Sequence, residues 1–202
     1  ADDPRCDVFQ RAVATKDAIH VIVDIRSRAN LRQGGKIFVT GSEVAWDLDQ
    51  NGTAADKAFI NTYLKAKYIA DNPTPNTAAG TAVSGSIFDG VPNFTFGQVY
   101  PEDWPDVIDT VGGSVPVMRY NATQTAGIAF TGMVSGGFIE SKIVYLGFAL
   151  ETMGNVVHRR QIVQKIVNYF TGLTDAEEIA GSFAPSDFTI AAYPILLILP
   201  QD

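Results

Sequence analysis

At 202 residues, with 46% hydrophobic and 10% aromatic content, the chain is long and apolar enough to bury one sizeable core, which excludes a disordered or low-complexity polymer. A formal net charge of -7 and a pI near 4.7, with no Lys/Arg block, exclude a nucleic-acid partner, because phosphates demand a basic footprint. The single cysteine, Cys6, leaves no intramolecular disulfide and no cysteine-based metal site.

In chain order, "ADDPRCD" lacks an initiating Met and is expected to be a processed or trimmed terminus. "AIHVIVDI" (18–25) is β-branched and almost continuously apolar, as expected of a strand covered on both faces. His20 sits inside that run and is expected to face the core or sheet, and Asp24 closes it. "GGKIFVTGSEVAWDLDQNGTAADKAFI" (34–60) reads as strand, tight turn, acidic loop and helix, the order in which many α/β hydrolases present a nucleophile. Ser42 is the nucleophile candidate there and Glu43 a candidate acid or base.

Asp47, Asp49 and Asn51, followed by Gly52, match the first half of a calcium loop, with Thr53 and Asp56 as further oxygen donors. Position twelve is Ala58 rather than a bidentate glutamate, so the choice lies between a partial Ca2+ site and a polar turn. "DKAFINTYLKAKY" follows with helical periodicity at Phe59, Ile60, Tyr63 and Leu64, capped by Thr53 with Asp56 three residues on.

From Asn72 to Gly137 the texture turns to Gly, Pro and Thr with short alternating runs such as "VPVMRY" and "TAGIAF", which predict a small antiparallel insertion. Within it, Tyr100 and Trp104 stand beside acids and suit a sugar-binding platform, with loop anchoring as the alternative. "KIVYLGF" (142–148) predicts another buried strand, with Glu151 just beyond it. "HRRQIVQKIVNYF" is a helix with a stripe at Ile162, Val163, Ile166, Val167 and Phe170, stopped by Gly172 and opened by His158, a possible partner for Ser42. Residues 173–202 form a linker and an extended, β-branched C-terminal segment; its "IAAYPILLIL" is far shorter than the roughly 20 residues a membrane helix needs.

Taken in order, "GGKIFVTGSEVAWDLD", "VSGSIFDG", "PDVIDTVGG", "VMRYN" and "KIVYLGFALETM…RRQIVQKIVNYF" resemble a class I glutamine-amidotransferase-like module of large exported bacterial proteins, over Asp7 to Gly172. The buried runs "AIHVIVDI", "KIFVT" and "KIVYLGF" predict a doubly wound, mainly parallel sheet with helices on both faces, a small antiparallel insertion and an extended C-terminal β segment, and the resemblance implies the same flavodoxin-like α/β class. It implies one domain over residues 1–172 and a tail over 173–202. Active members carry a Cys at the elbow and a His and Glu after the last strand. Here the elbow is Gly41-Ser42-Glu43 and the later segment keeps Glu151 without the histidine. "DIRSRANLRQGGK" is also too short for the strand and helix that the family places there. "SDFTIAAYP" resembles the start of a secretion-sorting sandwich whose Asn-Pro-Phe continuation is missing.

The sequence thus points to a non-enzymatic module, extracellular or at the cell surface, acting in protein interaction or self-association through its C-terminal strand. Two alternatives stand beside it. One is a hydrolase of glycans or peptide amides, using Ser42 with His158 or the carboxylates Glu43 and Glu151. The other is a calcium-dependent carbohydrate-binding module.

Overall fold

The computed structural model describes residues 12–15, 18–21, 25–172 and 197–199, with side chains from 28 to 172. Strands β1 (Ala12–Thr15) and β2 (Ala18–Val21) form a separate antiparallel hairpin, so "AIHV" pairs locally rather than entering the main sheet. Helix α1 (Ile25–Arg32) follows, placing a helix in a stretch expected to hold none. Then come β3 (Lys36–Thr40), a π-helical turn (Trp46–Gln50), α2 (Ala54–Phe59), a second π-helical turn (Ile60–Leu64) and β4 (Ala66–Asp71). Short strands β5 (Ala79–Ala82), β6 (Phe94–Thr95), β7 (Asp106–Thr110) and β8 (Val115–Arg119) lead to the long β9 (Thr125–Gly132) and β10 (Ser141–Leu146). A 3-10 turn (Leu150–Thr152), α3 (Val156–Thr171) and β11 (Leu197–Leu199) complete the described chain.

The fold is not the expected doubly wound parallel sheet. It is a mixed, strongly curled sheet, a half-barrel, with only about 29% helix. The strand order is β11-β3-β10-β9-β8-β5-β6, and β7 joins β9 with β4 beyond it. Among the described strands, β3 and β10 form the one parallel pair, Lys36 opposite Lys142 through Thr40 opposite Leu146. All other strand pairs are antiparallel. Buried apolar runs such as "KIFVT" and "TAGIAF" look alike whichever way their neighbours run, because burial on both faces, not direction, sets their composition. Connections decide direction: the few residues between β8 and β9, and between β9 and β10, are too short for a parallel crossover. The predicted insertion therefore supplies most of the sheet instead of decorating it.

Two apolar clusters flank the sheet, as alternation along β10 requires. Val144 and Leu146 join Phe38, Phe94, Phe96 and Phe148, with Ile162, Ile166 and Phe170 of α3, in one. Ile143 and Tyr145 join Ile37, Val39, Phe59, Ile60, Tyr63 and Leu64 in the other. Helical cover is thin, one long helix on one side and short turns on the other.

Two local signals act as the sequence predicts, the Thr53–Asp56 cap and the Gly172 stop, whereas α3 opens at Val156 rather than at His158. Thr53 and Asp56 form a reciprocal capping box on α2, and left-handed Lys65 (φ 60°) ends the helical run before β4. Asn155 Oδ1 accepts from the N–H groups of Val157 and His158 to start α3, and Gly172 (φ 78°) stops it, donating to the Asn168 carbonyl. Among the described residues, no helix is long and apolar enough to cross a membrane.

Candidate acidic site at the strand ends

Because β3 and β10 are parallel, the loops that leave them start side by side. Thr40 laces them together: its Oγ1 donates to the Phe148 carbonyl (2.6 Å) and accepts from the Leu150 N–H (2.9 Å), while the Gly41 N–H also donates to the Phe148 carbonyl (3.1 Å). The ring of Phe148 anchors the second loop by stacking on Phe96 (4.9 Å between centroids) and Phe94 (5.3 Å). Beyond Leu146, β10 leaves β9, and β7 takes over beside it at Thr125. The changeover is close, with the Asp106 N–H donating to the Gly147 carbonyl (2.7 Å). A Cβ on Gly147 would lie 2.3 Å from the Asp106 carbonyl oxygen, so only glycine fits.

Three carboxylates meet at this changeover. Glu43 occupies the turn between β3 and the helical segment in a left-handed conformation (φ 63°), which costs a non-glycine residue roughly 1–2 kcal/mol. In Gly41-Ser42-Glu43-Val44-Ala45 the strained third position, where a strand-to-helix elbow holds its nucleophile, is Glu43 rather than Ser42. Asp71 ends β4 directly opposite Asp106, which opens β7, and accepts from the Tyr68 hydroxyl (2.7 Å). Asp106 is fully buried and accepts from the N–H groups of Ala45 (2.7 Å) and Trp46 (3.3 Å), capping the helical segment. One oxygen from each of Glu43, Asp71 and Asp106 lies within 4.8 Å of the others.

Burial pushes the Glu43 carboxyl up to about 7, helped by the charges of Asp71 and Asp47. Asp106 is raised well above the usual carboxylate range, first by burial, against the pull of the Ala45 N–H, and further by the Glu43 and Asp71 charges. Tyr145 points its buried hydroxyl at the same place; burial and then the Asp106 charge raise it, yet it makes no hydrogen bond of ordinary geometry.

A second acidic knot lies alongside. Glu102 Oε1 accepts from the Ser42 hydroxyl (2.9 Å) and the Ala149 N–H (2.6 Å), and its Oε2 from the Thr152 hydroxyl (2.8 Å). It thereby ties the loops after β3 and β10 to its own. Burial lifts Glu102 to about 7 against those three donors. Glu151, buried, accepts from the Tyr100 hydroxyl (2.8 Å) and is raised chiefly by burial.

The predicted residues therefore divide. Ser42 is bonded to Glu102, Glu43 stands with Asp71 and Asp106, and Glu151 stands with Tyr100. His158 lines a separate open groove of about 370 Å³ with Asn93, Phe94, Gln98, Tyr120 and Asn155, to which Ser42, Glu43 and Glu151 do not contribute. Of the calcium-loop residues, Asp47 and Asp49 lie on a helical turn, and Asp49 Oδ2 accepts from the Tyr68 N–H (2.8 Å). Asp56 is engaged in the cap with Thr53, and Asn51 ends the π-helical turn; among the described residues, Asp47, Asp49 and Asp56 do not converge as Glu43, Asp71 and Asp106 do. Trp104 is half exposed, and the Tyr100 hydroxyl is engaged with Glu151. Asp24 lies outside the described residues, as does the His20 side chain.

Sequence reasoning missed Asp71, Asp106 and Glu102. Their signals were faint: Asp106 is an acid opening the apolar run "DVIDT", and Glu102 lies among the aromatics of "YPEDWPD". No family model, curated protein or solved structure matches the chain. The amidotransferase-like resemblance thus rests on the sequence motifs alone.

Proposed function

We propose that this chain is a non-enzymatic interaction or assembly module, working outside the cell or at its surface, with its C-terminal strand as the contact. One observation carries the proposal. Strand β11 lies antiparallel on the outer edge of β3, with Leu197 opposite Phe38, Ile198 opposite Ile37 and Leu199 opposite Lys36. An apolar edge strand needs its row of backbone donors and acceptors covered, and the same three residues from a second copy meet that need in the same register. Residues 173–196 separate α3 from β11, and a connection of that length reaches at most ~80 Å when extended, ample for delivery to a neighbour. The extracellular setting is supported by the resemblance to modules of exported proteins.

The test is light scattering over a range of concentrations, on the full chain and on a chain ending before Asp187. Concentration-dependent oligomers that vanish on truncation, with circular dichroism unchanged, are expected. A full chain that stays monomeric throughout, or a truncated one that still associates, overturns the proposal. Ile198→Pro, which removes one ladder donor without removing the tail, checks that loss of association reflects strand pairing.

A hydrolase is the second reading, and the hydrogen bond from Ser42 to Glu102, a carboxyl poised near neutrality, is what favours it. Against it, Glu102 also accepts from the Ala149 N–H and the Thr152 hydroxyl, which engages it in holding the loop after β10. Release of nitrophenol from nitrophenyl glycosides, or of nitroaniline from acyl nitroanilides, lost in Ser42→Ala, is its signature.

A further inference from the structure

We propose that Glu43, Asp71 and Asp106 form a binding site for a hard divalent cation, calcium in particular, where β10 gives way to β7. The three carboxylates come from three separate segments, a turn and two adjacent strands, and the fold brings one oxygen of each within 4.8 Å of the others. Oxygens no farther apart than that can all reach one ion at calcium–oxygen distances of about 2.4 Å. The donor set is oxygen only, which selects calcium, magnesium or manganese over softer metals. Glu43 and Asp71 are partly open to solvent, so waters can complete an irregular shell, which calcium accepts more readily than magnesium.

Charge balance points the same way. The side-chain charges that bear on Glu43 are Asp71 and Asp47, and those on Asp106 are Glu43 and Asp71, all of them acidic. Independent of the carboxylates, the wholly buried hydroxyl of Tyr145, set against Asp106, makes no hydrogen bond of ordinary geometry, and within the cluster Oε1 of Glu43 has no donor. Leaving such groups unsatisfied is unusual in a folded protein and costly. A cation between the carboxylates engages Glu43 Oε1, and a water carried on it has protons for the Tyr145 oxygen.

The test uses the full chain, stripped with chelator and titrated with CaCl2 by calorimetry, with Tb3+ emission sensitised through Trp46 and the nearby tyrosines as a second readout. One ion per chain is expected, with Ca2+ displacing Tb3+. Asp71→Asn should weaken binding about tenfold or more, and Glu43→Gln should do the same if the first variant folds poorly by circular dichroism. Asp56→Asn, which keeps a capping side chain in the separate acidic loop, should bind as the unaltered chain does. Absence of both calcium heat and Tb3+ emission in the unaltered chain overturns the proposal, as does binding that Asp56→Asn abolishes and Asp71→Asn leaves intact. Binding is scored per chain, so the result does not depend on whether the protein associates.

Discussion

Replacing Glu102 by Gln tests whether the knot beneath the acidic site carries buried charge. Burial raises Glu102 from its ordinary 4.5 to about 7, although Ala149, Thr152 and Ser42 all donate to it. Between those values the folded chain holds a proton that the unfolded chain has released. Stability therefore falls as pH rises through this window and levels off above 7. At about 1.36 kcal/mol per pH unit, the contribution lost between pH 5 and pH 8 is about 2.5 kcal/mol. A glutamine mimics the protonated acid at every pH, since its oxygen still accepts from Ser42 and Ala149 and its amide can donate to the Thr152 hydroxyl. Urea denaturation in excess chelator at pH 5 and pH 8 measures the effect. The unaltered chain should be more stable at pH 5, and Glu102→Gln should shrink the difference by about 2.5 kcal/mol, mainly by stabilising the protein at pH 8. Equal pH dependence in the two chains, or an unaltered chain that is more stable at pH 8, refutes the reasoning.

Two further predictions concern the scaffold. Phe148→Ala removes a fully buried ring stacked on Phe94 and Phe96 and should cost about 4 kcal/mol, lowering Tm by roughly 8–16 °C in a scanning calorimeter. A loss below about 1 kcal/mol would show that the ring is not packed as described. Thr53→Ala breaks the capping box of α2 and should cost about 1 kcal/mol in urea denaturation, while Thr53→Ser should cost much less.

The sequence by itself determined the features that close within a few residues. The Thr53–Asp56 box, the Gly172 stop, the apolar stripe of α3 and the buried strands "KIFVT" and "KIVYLGF" were legible because side chain and backbone partner lie within one turn, or because alternation and burial mark the run directly. So was the turn after Thr40, although the residue under strain is Glu43 rather than Ser42. Strand direction and sheet membership were decided only by tertiary structure. The pairings of β9 with β8, β7 and β10 join segments whose composition does not encode which edge they meet. The acidic site was hidden for the same reason. Asp71 and Asp106 become opposite neighbours through the β4–β7 pairing, and Glu43 reaches them through a turn after a third strand. The raised pKa values of Glu43 and Asp106 arise from burial and from the carboxylate charges around them, and neither cause exists until the sheet curls around the site.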